Sequence, residues 1–252
     1  MKLANKTILV TGASAGIGRE LAVRLAQRNN RLVLIARREQ LLRELIEILP
    51  PHPNSHLSYS CDVAEFSAVK KMCEYFNAKA IAFDCLILNA GIGSKFDVRK
   101  LNLADFQKVF DVNFLSNVHI LKYLLPSMID RRCGLVALVS SLAGYRGMPK
   151  SAPYAASKAA LINLAESLRL DLWNTGIKVT LISPGFVKTP MTDKNDYYMP
   201  FLIPVEKAAK IIIKGLEKEK TEIHFPYRLS LLAKFGKLLP NNFYAFLMHG
   251  RK

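Results

Sequence analysis

Two rhythms of apolar residues alternate along this chain. Short unbroken runs of mainly Val, Ile and Leu occupy 7–10, 32–36, 85–89, 134–140 and 178–182. Runs of this length, flanked by polar and turn residues, predict strands buried on both faces. The segments 59–62 and 222–225 read as two further strands. Between the runs lie stretches with helical spacing. In 19–28, Leu21, Ala22, Leu25 and Ala26 share one face, and Asn29-Asn30 ends the pattern. The helical stretch 39–49 stops at Pro50-Pro51. Others are predicted at 64–76, through 106–131, at 154–174 and at 205–216, the last with Ala208, Ile211, Ile212 and Leu216 as its apolar stripe.

Strands that alternate with helices predict an α/β fold: one doubly wound parallel sheet with helices on both faces. Ligands of such sheets bind outside the carboxyl ends of the strands. The catalytic unit is expected over 1–225. Residues 226–252 form a basic, amphipathic extension, in which Leu231, Leu232, Phe235, Leu238 and Leu239 fall on one helical face and Ser230, Lys234 and Lys237 lie largely opposite. It is too short and interrupted to span a bilayer. It reads as a pocket cap or subunit contact in preference to a segment lying on an anionic membrane surface.

Composition narrows the classes. Half of the 252 residues are apolar, which suits a globular chain with a full core. Cys61, Cys73, Cys85 and Cys133 form no C-x-x-C pair and no His/Cys cluster, so neither a disulfide framework nor a metal site is expected. The first residues run into a strand, not into the apolar stretch of a secretory leader, so the default location is cytoplasmic. A formal charge of +16 points to polyanions, anionic membrane surfaces or acidic carriers as partners. No nucleic-acid-reading motif accompanies it, and nucleic acid is not an expected partner.

The candidate chemistry lies just past strand ends. After the first strand comes Thr11-Gly-Ala-Ser-Ala-Gly-Ile-Gly18, with Gly12, Gly16 and Gly18 spaced for a tight turn and close backbone approach to a pyrophosphate. Ser14 and Ile17 lie in that turn, and the following helix N-terminus offers N–H groups to phosphate. An NAD site wants a carboxylate at the end of the second strand. This strand ends at Ala36-Arg37-Arg38, two guanidiniums suited to a phosphate, so NADP(H) is expected over NAD. Further along, Tyr154 and Lys158 are one helical turn apart, with Ser140 upstream at the end of the fifth strand. A phenol is a proton donor, an adjacent ammonium lowers its pKa, and a hydroxyl can hold a carbonyl oxygen.

In this order, with Asn89-Ala90-Gly91, these motifs resemble the classical short-chain dehydrogenase/reductase family over about residues 5–190. The resemblance implies a Rossmann-like single-domain subunit, usually in a homodimer or homotetramer. It implies Tyr154 as general acid/base, Lys158 as the residue that lowers its pKa and binds the nicotinamide ribose, and Ser140 as stabiliser of the substrate oxygen. Asn113 is implied to hold a relay water. Asp62 and Val63 are implied at the adenine, Asn89 beside the cofactor, and Pro184, Gly185, Val187 and Thr189 at the carboxamide.

Leu142, Tyr145, Met148 and Met191 are expected to line a substrate pocket, beneath an apolar lid over 186–204 that includes Tyr197. The expected function is therefore NADP(H)-dependent reduction of an apolar ketone or aldehyde, or the reverse oxidation of an alcohol. Reduction of a β-ketoacyl thioester on an acidic carrier is an alternative. Another is a nucleotide-binding sensor or scaffold without turnover.

Overall fold

The computed structural model describes residues 1–93 and 96–249; the end of the predicted extension, 250–252, lies outside them. Seven strands form the sheet: β1 (Thr7–Thr11), β2 (Arg31–Ala36), β3 (Leu57–Ser60), β4 (Cys85–Leu88), β5 (Gly134–Val139), β6 (Ile177–Pro184) and β7 (Glu222–Phe225). Their order is β3-β2-β1-β4-β5-β6-β7, and every neighbouring pair is parallel. The order reverses between β1 and β4, which opens a crevice at their carboxyl ends. The helices are α1 (Gly16–Ala26), α2 (Glu39–Glu47), α3 (Phe66–Ala78), α4 (Leu103–Phe110), α5 (Ser116–Asp130), α6 (Ala152–Asp171), α7 (Val205–Glu217), α8 (Tyr227–Leu238) and α9 (Asn241–His249).

The unbroken apolar runs have the cause expected of them. In β2, Leu32, Leu34 and Ala36 join a core with α1, α2 and α7, whereas Val33 and Ile35 join a second core with α3, α5 and α6. Successive side chains of a strand point to opposite faces, and here both faces are dry. Each such burial contributes about 1.5–3 kcal/mol, so both helical layers hold the sheet. The thiols of Cys61, Cys73 and Cys85 are buried, and burial pushes Cys61 up to about 11 and Cys73 to about 12.

Three elements differ from the sequence reading. The third strand starts earlier, at Leu57, because the ladder pairs Val33 with Leu57 and Ala36 with Ser60. The long helical stretch through 106–131 is interrupted by a π-helical turn at Asp111–Leu115. Side chains support that break: Asn117 donates to the Asn113 carbonyl at 2.9 Å, and the Ser116 hydroxyl donates to the Val112 carbonyl at 2.7 Å. Third, α8 turns Leu229 onto Gly185 but leaves most of its predicted apolar stripe outside. Ser230 is fully buried, meeting His224 Nδ1 at 2.7 Å, while Leu231, Leu232, Phe235 and Leu238 are exposed. The inner side of α8 carries Leu229, Ser230 and Ala233, while Gly236 lies against the Tyr244 ring.

Candidate active site

The site is built at the carboxyl ends of β1, β2, β4, β5 and β6. The turn after β1 holds Gly12 at φ +66° and Gly16 at φ +55°, a conformation that favours glycine. At Gly18 the constraint is space: a Cβ there would come within 2.4 Å of the Gly12 carbonyl oxygen and 2.6 Å of Asn89 Nδ2. Asn89 braces this turn, its amide donating to the Thr11 carbonyl at 3.0 Å. The Thr11 hydroxyl accepts the backbone N–H groups of both Asn89 and Ala90 at 2.9 Å. Helix α1 starts at Gly16 without a side-chain cap from Ala15, which leaves its first N–H groups facing the turn. Ile17 packs its side chain against the core.

Two guanidiniums follow β2, one reaching this turn and the other the end of β3. Arg38 donates to the Ser14 hydroxyl at 2.9 Å, and Arg37 lies 3.6 Å from the Asp62 carboxylate. Asp62 also accepts from the Ala64 N–H at 3.1 Å, and Val63 beside it is buried. From the other side, Thr189 Cγ2 lies 3.2 Å from where a Cβ of Gly16 would be. An uncapped helix start, a glycine turn with only small side chains and an Arg38–Ser14 pair together fit the phosphates of a dinucleotide.

The proton-transfer residues lie on β5, its following loop and α6. Lys158 is 3 % exposed; its ammonium donates to the Val139 carbonyl at 2.8 Å and lies 5.8 Å from the centroid of the Tyr154 ring. A Cβ on Gly91 would be 3.4 Å from Lys158 Nζ and 3.3 Å from Asn113 Oδ1, so the glycine keeps this corner open. Burial lowers the Lys158 pKa to about 8. Burial also raises the Tyr154 phenol above its ordinary value; a hydrogen bond with Ser141 opposes the rise, and Tyr197 adds to it. The direction is opposite to the lowering expected from a neighbouring ammonium: desolvation is the largest cause, and Lys158 is not among the groups that shift the phenol here.

The serine is the main correction. Ser140 stays in the ladder, its N–H donating to the Ile182 carbonyl at 2.7 Å, and its buried hydroxyl donates to the Lys158 carbonyl at 2.7 Å. Ser141, one residue on, turns its hydroxyl toward Tyr154, where it counters the rise that burial gives the phenol. Its hydroxyl also accepts from the Ala143 N–H at 3.2 Å and caps the single 3-10 turn Leu142–Gly144. Strand alternation thus sends Ser140 into the core and Ser141 into the site.

Asn113 is fully buried inside the π-turn. Its amide bridges the backbone of Ile92, accepting from N–H at 2.8 Å and donating to the carbonyl at 3.0 Å, and reaches the Ser157 hydroxyl at 3.1 Å. It ties α4, β4 and α6 together beside Lys158. Pro184 ends β6, and the Gly185 N–H pairs with the Phe225 carbonyl at 2.7 Å.

The predicted pocket residues separate. Leu142 is buried, and its Cδ1 lies 3.2 Å from the place a Cβ of Gly185 would take. Met191 lies 3.9 Å from the corresponding point on Gly93, across from the glycine turn's exit, and Met148 is exposed. Tyr145 belongs elsewhere: its hydroxyl donates to Glu222, and Lys234 lies 5.7 Å from the centroid of its ring. The Leu142–Gly144 turn redirects it toward β7. The 186–204 segment is clasped at its base, where Val187 and Ile203 pair as neighbouring strands do. Sequence reasoning also missed Ser157, whose place one residue before Lys158 gives no periodic signal, and Arg146, a lone exposed-looking cation.

Comparison with known proteins agrees with this geometry. The family model for short chain dehydrogenases matches residues 6–198. An uncharacterized oxidoreductase of Myxococcus xanthus is 36% identical over 240 residues, 95% of each chain. The 3-oxoacyl-(acyl-carrier-protein) reductase FabG of Rickettsia prowazekii is 35% identical over 192 residues, 76% of this chain and 77% of that protein. Among solved structures, L-sorbose reductase from Gluconobacter frateurii, complexed with NADPH and L-sorbose, superposes with a TM-score of 0.80 at 23% identity, covering 89% of this chain and 96% of that one. The chain belongs to the short chain dehydrogenase family of oxidoreductases.

Proposed function

We propose that this enzyme is an NADP(H)-dependent reductase that adds hydrogen to a carbonyl carbon and oxygen, and runs the reverse oxidation of the alcohol. The observation that carries the reading is the meeting of Ser141, Tyr154 and Lys158 at the sheet end that also holds the glycine turn and the Arg38–Ser14 pair. Gly12, Gly16 and Gly18 leave room for the pyrophosphate, and the start of α1 directs N–H groups at it. Arg37 and Arg38 would receive the additional phosphate, and Asp62 with Val63 would border the adenine. The bound cofactor supplies the hydride.

The chain supplies the rest. The Ser141 hydroxyl orients the carbonyl oxygen and stabilises the negative charge that develops on it. The Tyr154 phenol, kept protonated by burial, delivers its proton to that oxygen. Below about pH 8 the Lys158 ammonium carries the positive charge that steadies the resulting phenolate. Asn113 fixes Ile92 and Ser157 around the lysine and is a positioning residue. Met191 and Tyr197 contribute an apolar wall, so the substrate is expected to be an apolar ketone or aldehyde.

A second substrate class has specific support: the Rickettsia relative is named a 3-oxoacyl carrier-protein reductase, and the charge of +16 suits an acidic carrier. Steady-state kinetics with NADPH and NADH test both readings on apolar ketones, aldehydes and β-ketoacyl thioesters with and without carrier. NADPH-dependent turnover of a simple ketone supports the first. Turnover that needs the carrier and falls steeply with salt supports the second.

A further inference from the structure

We propose that the outward face of α8 and α9 is a docking surface for an anionic lipid bilayer. On α8, Leu232 is 62% exposed, Phe235 61% and Leu238 80%; on α9, Phe246 is 72% exposed. Leu231, Phe243 and Leu247 add to the same pair of helices. Isolated exposed apolar residues are ordinary, but a consecutive series on two adjoining helices is not.

The helices are 12 and 9 residues long, and no described helix is long and apolar enough to cross a membrane. Lying in the interface is the arrangement that suits short helices with exposed apolar side chains and cations close by.

Charge selects the occupant. After Glu222 the sequence contains no Asp or Glu, whereas Arg228, Lys234, Lys237, Arg251 and Lys252 follow. Lys234 is neutralised by Glu222 at 2.6 Å; Arg228 is exposed on the side of the apolar series, and Lys237 is exposed on the far side of α8, next to Leu238. A second copy meeting this face by two-fold symmetry would set cations against cations. An acidic protein would satisfy the cations and leave the leucines and phenylalanines without apolar partners. A bilayer with anionic headgroups satisfies both.

The surface is also fixed to the fold. Arg146 donates to the carbonyls of Gly236, Lys237 and Leu239 and to Asn241 Oδ1, and it lies 4.1 Å from the centroid of the Tyr244 ring. The Tyr244 hydroxyl donates to the Gly147 carbonyl at 2.8 Å. These contacts join the end of α8 and the start of α9 to the loop between Ser141 and Tyr154.

Flotation of the full-length protein with vesicles tests this. Vesicles of phosphatidylcholine alone are compared with equal parts of phosphatidylcholine and phosphatidylglycerol, at low and high salt. The wild type is expected to float with the anionic vesicles, weakly with the neutral ones, and less at high salt. Phe235→Glu with Leu238→Glu should abolish flotation while circular dichroism stays that of the wild type. Arg228→Gln with Lys237→Gln should lower partitioning by about fivefold per cation removed. The proposal is overturned if the wild type does not float, if it floats equally with neutral vesicles at both salts, or if the Phe235→Glu, Leu238→Glu variant floats as well. Sedimentation velocity identifies the rival occupant: a wild-type dimer that the same variant splits, without flotation, assigns the face to a second copy. No turnover enters these readouts, so the result stands apart from the oxidoreductase reading.

Discussion

Replacing Ser141 and Ser140 by alanine, one at a time, separates catalysis from packing at two adjacent residues. The Ser141 hydroxyl faces Tyr154 and is only loosely held, accepting from the Ala143 N–H at 3.2 Å and donating to the Pro184 carbonyl at 3.4 Å. Losing one preorganised donor to a developing oxyanion costs about 10²–10³-fold in kcat. Little stability goes with it, because Ser141 is only half-buried. The Ser140 hydroxyl is buried and donates to the Lys158 carbonyl at 2.7 Å, joining β5 to α6. One such bond is worth about 0.5–1.5 kcal/mol net. For a chain of this size that is a fall in Tm of roughly 1–6 °C. Its hydroxyl touches no reacting group, so Ser140→Ala is expected to keep kcat within about threefold, an effect of under about 1 kcal/mol on the barrier. The assays are NADPH oxidation with the best carbonyl substrate and calorimetric melting of both variants. If Ser140→Ala removes turnover at an unchanged Tm while Ser141→Ala stays active, the assignment from strand alternation is wrong.

Arg38→Ala removes a charge-assisted contact worth about 1.5–3 kcal/mol, so KM for NADPH should rise about 10–100-fold while KM for NADH stays put; equal changes for both would remove the arginine from cofactor choice. For Lys158, burial lowers the pKa from 10.5 to about 8. Between those values the unfolded chain binds the proton and the folded chain does not, so the cost of burying the ammonium is fully present below pH 8 and is relieved as pH rises toward 10.5. Denaturant titrations of wild type and Lys158→Met should therefore differ by a pH-dependent part on the order of 3 kcal/mol across that window; parallel curves would contradict it. Arg146→Ala cuts the bonds to α8 and α9, and amide hydrogen exchange across 227–249 should accelerate at least tenfold with the sheet unaffected.

The sheet and its helices were legible because β1, β2, β4, β5 and β6 are buried on both faces and so leave continuous apolar runs. β3 was harder to place: Leu57, Ser58 and Tyr59 are only partly buried, so their polarity does not mark a start. The π-turn at Asp111–Leu115 keeps helical spacing on both sides, and its cause, side chains bonding to the 112 and 113 carbonyls, leaves no periodic trace. The glycine turn was readable because only glycine fits it, and the Tyr154–Lys158 pair because one helical turn relates them. Two adjacent hydroxyls after an apolar run give no such criterion; the ladder bond from the Ser140 N–H to Ile182 and the Ser140 hydroxyl's bond to Lys158 tell the two apart. The outward leucines of α8 were visible as a stripe, but its direction depends on Ser230 and on Arg146, which lies 90 residues before Gly236.

The central claim is that Tyr154 gives the proton to a carbonyl oxygen. The most direct test follows the loss of reduced-nicotinamide absorbance with NADPH and the best carbonyl substrate, for wild type and Tyr154→Phe, with NADPH affinity measured alongside. The account predicts that the variant binds NADPH as the wild type does and loses at least about 10²-fold in kcat, the contribution of a positioned general acid. Undiminished turnover in Tyr154→Phe would contradict it.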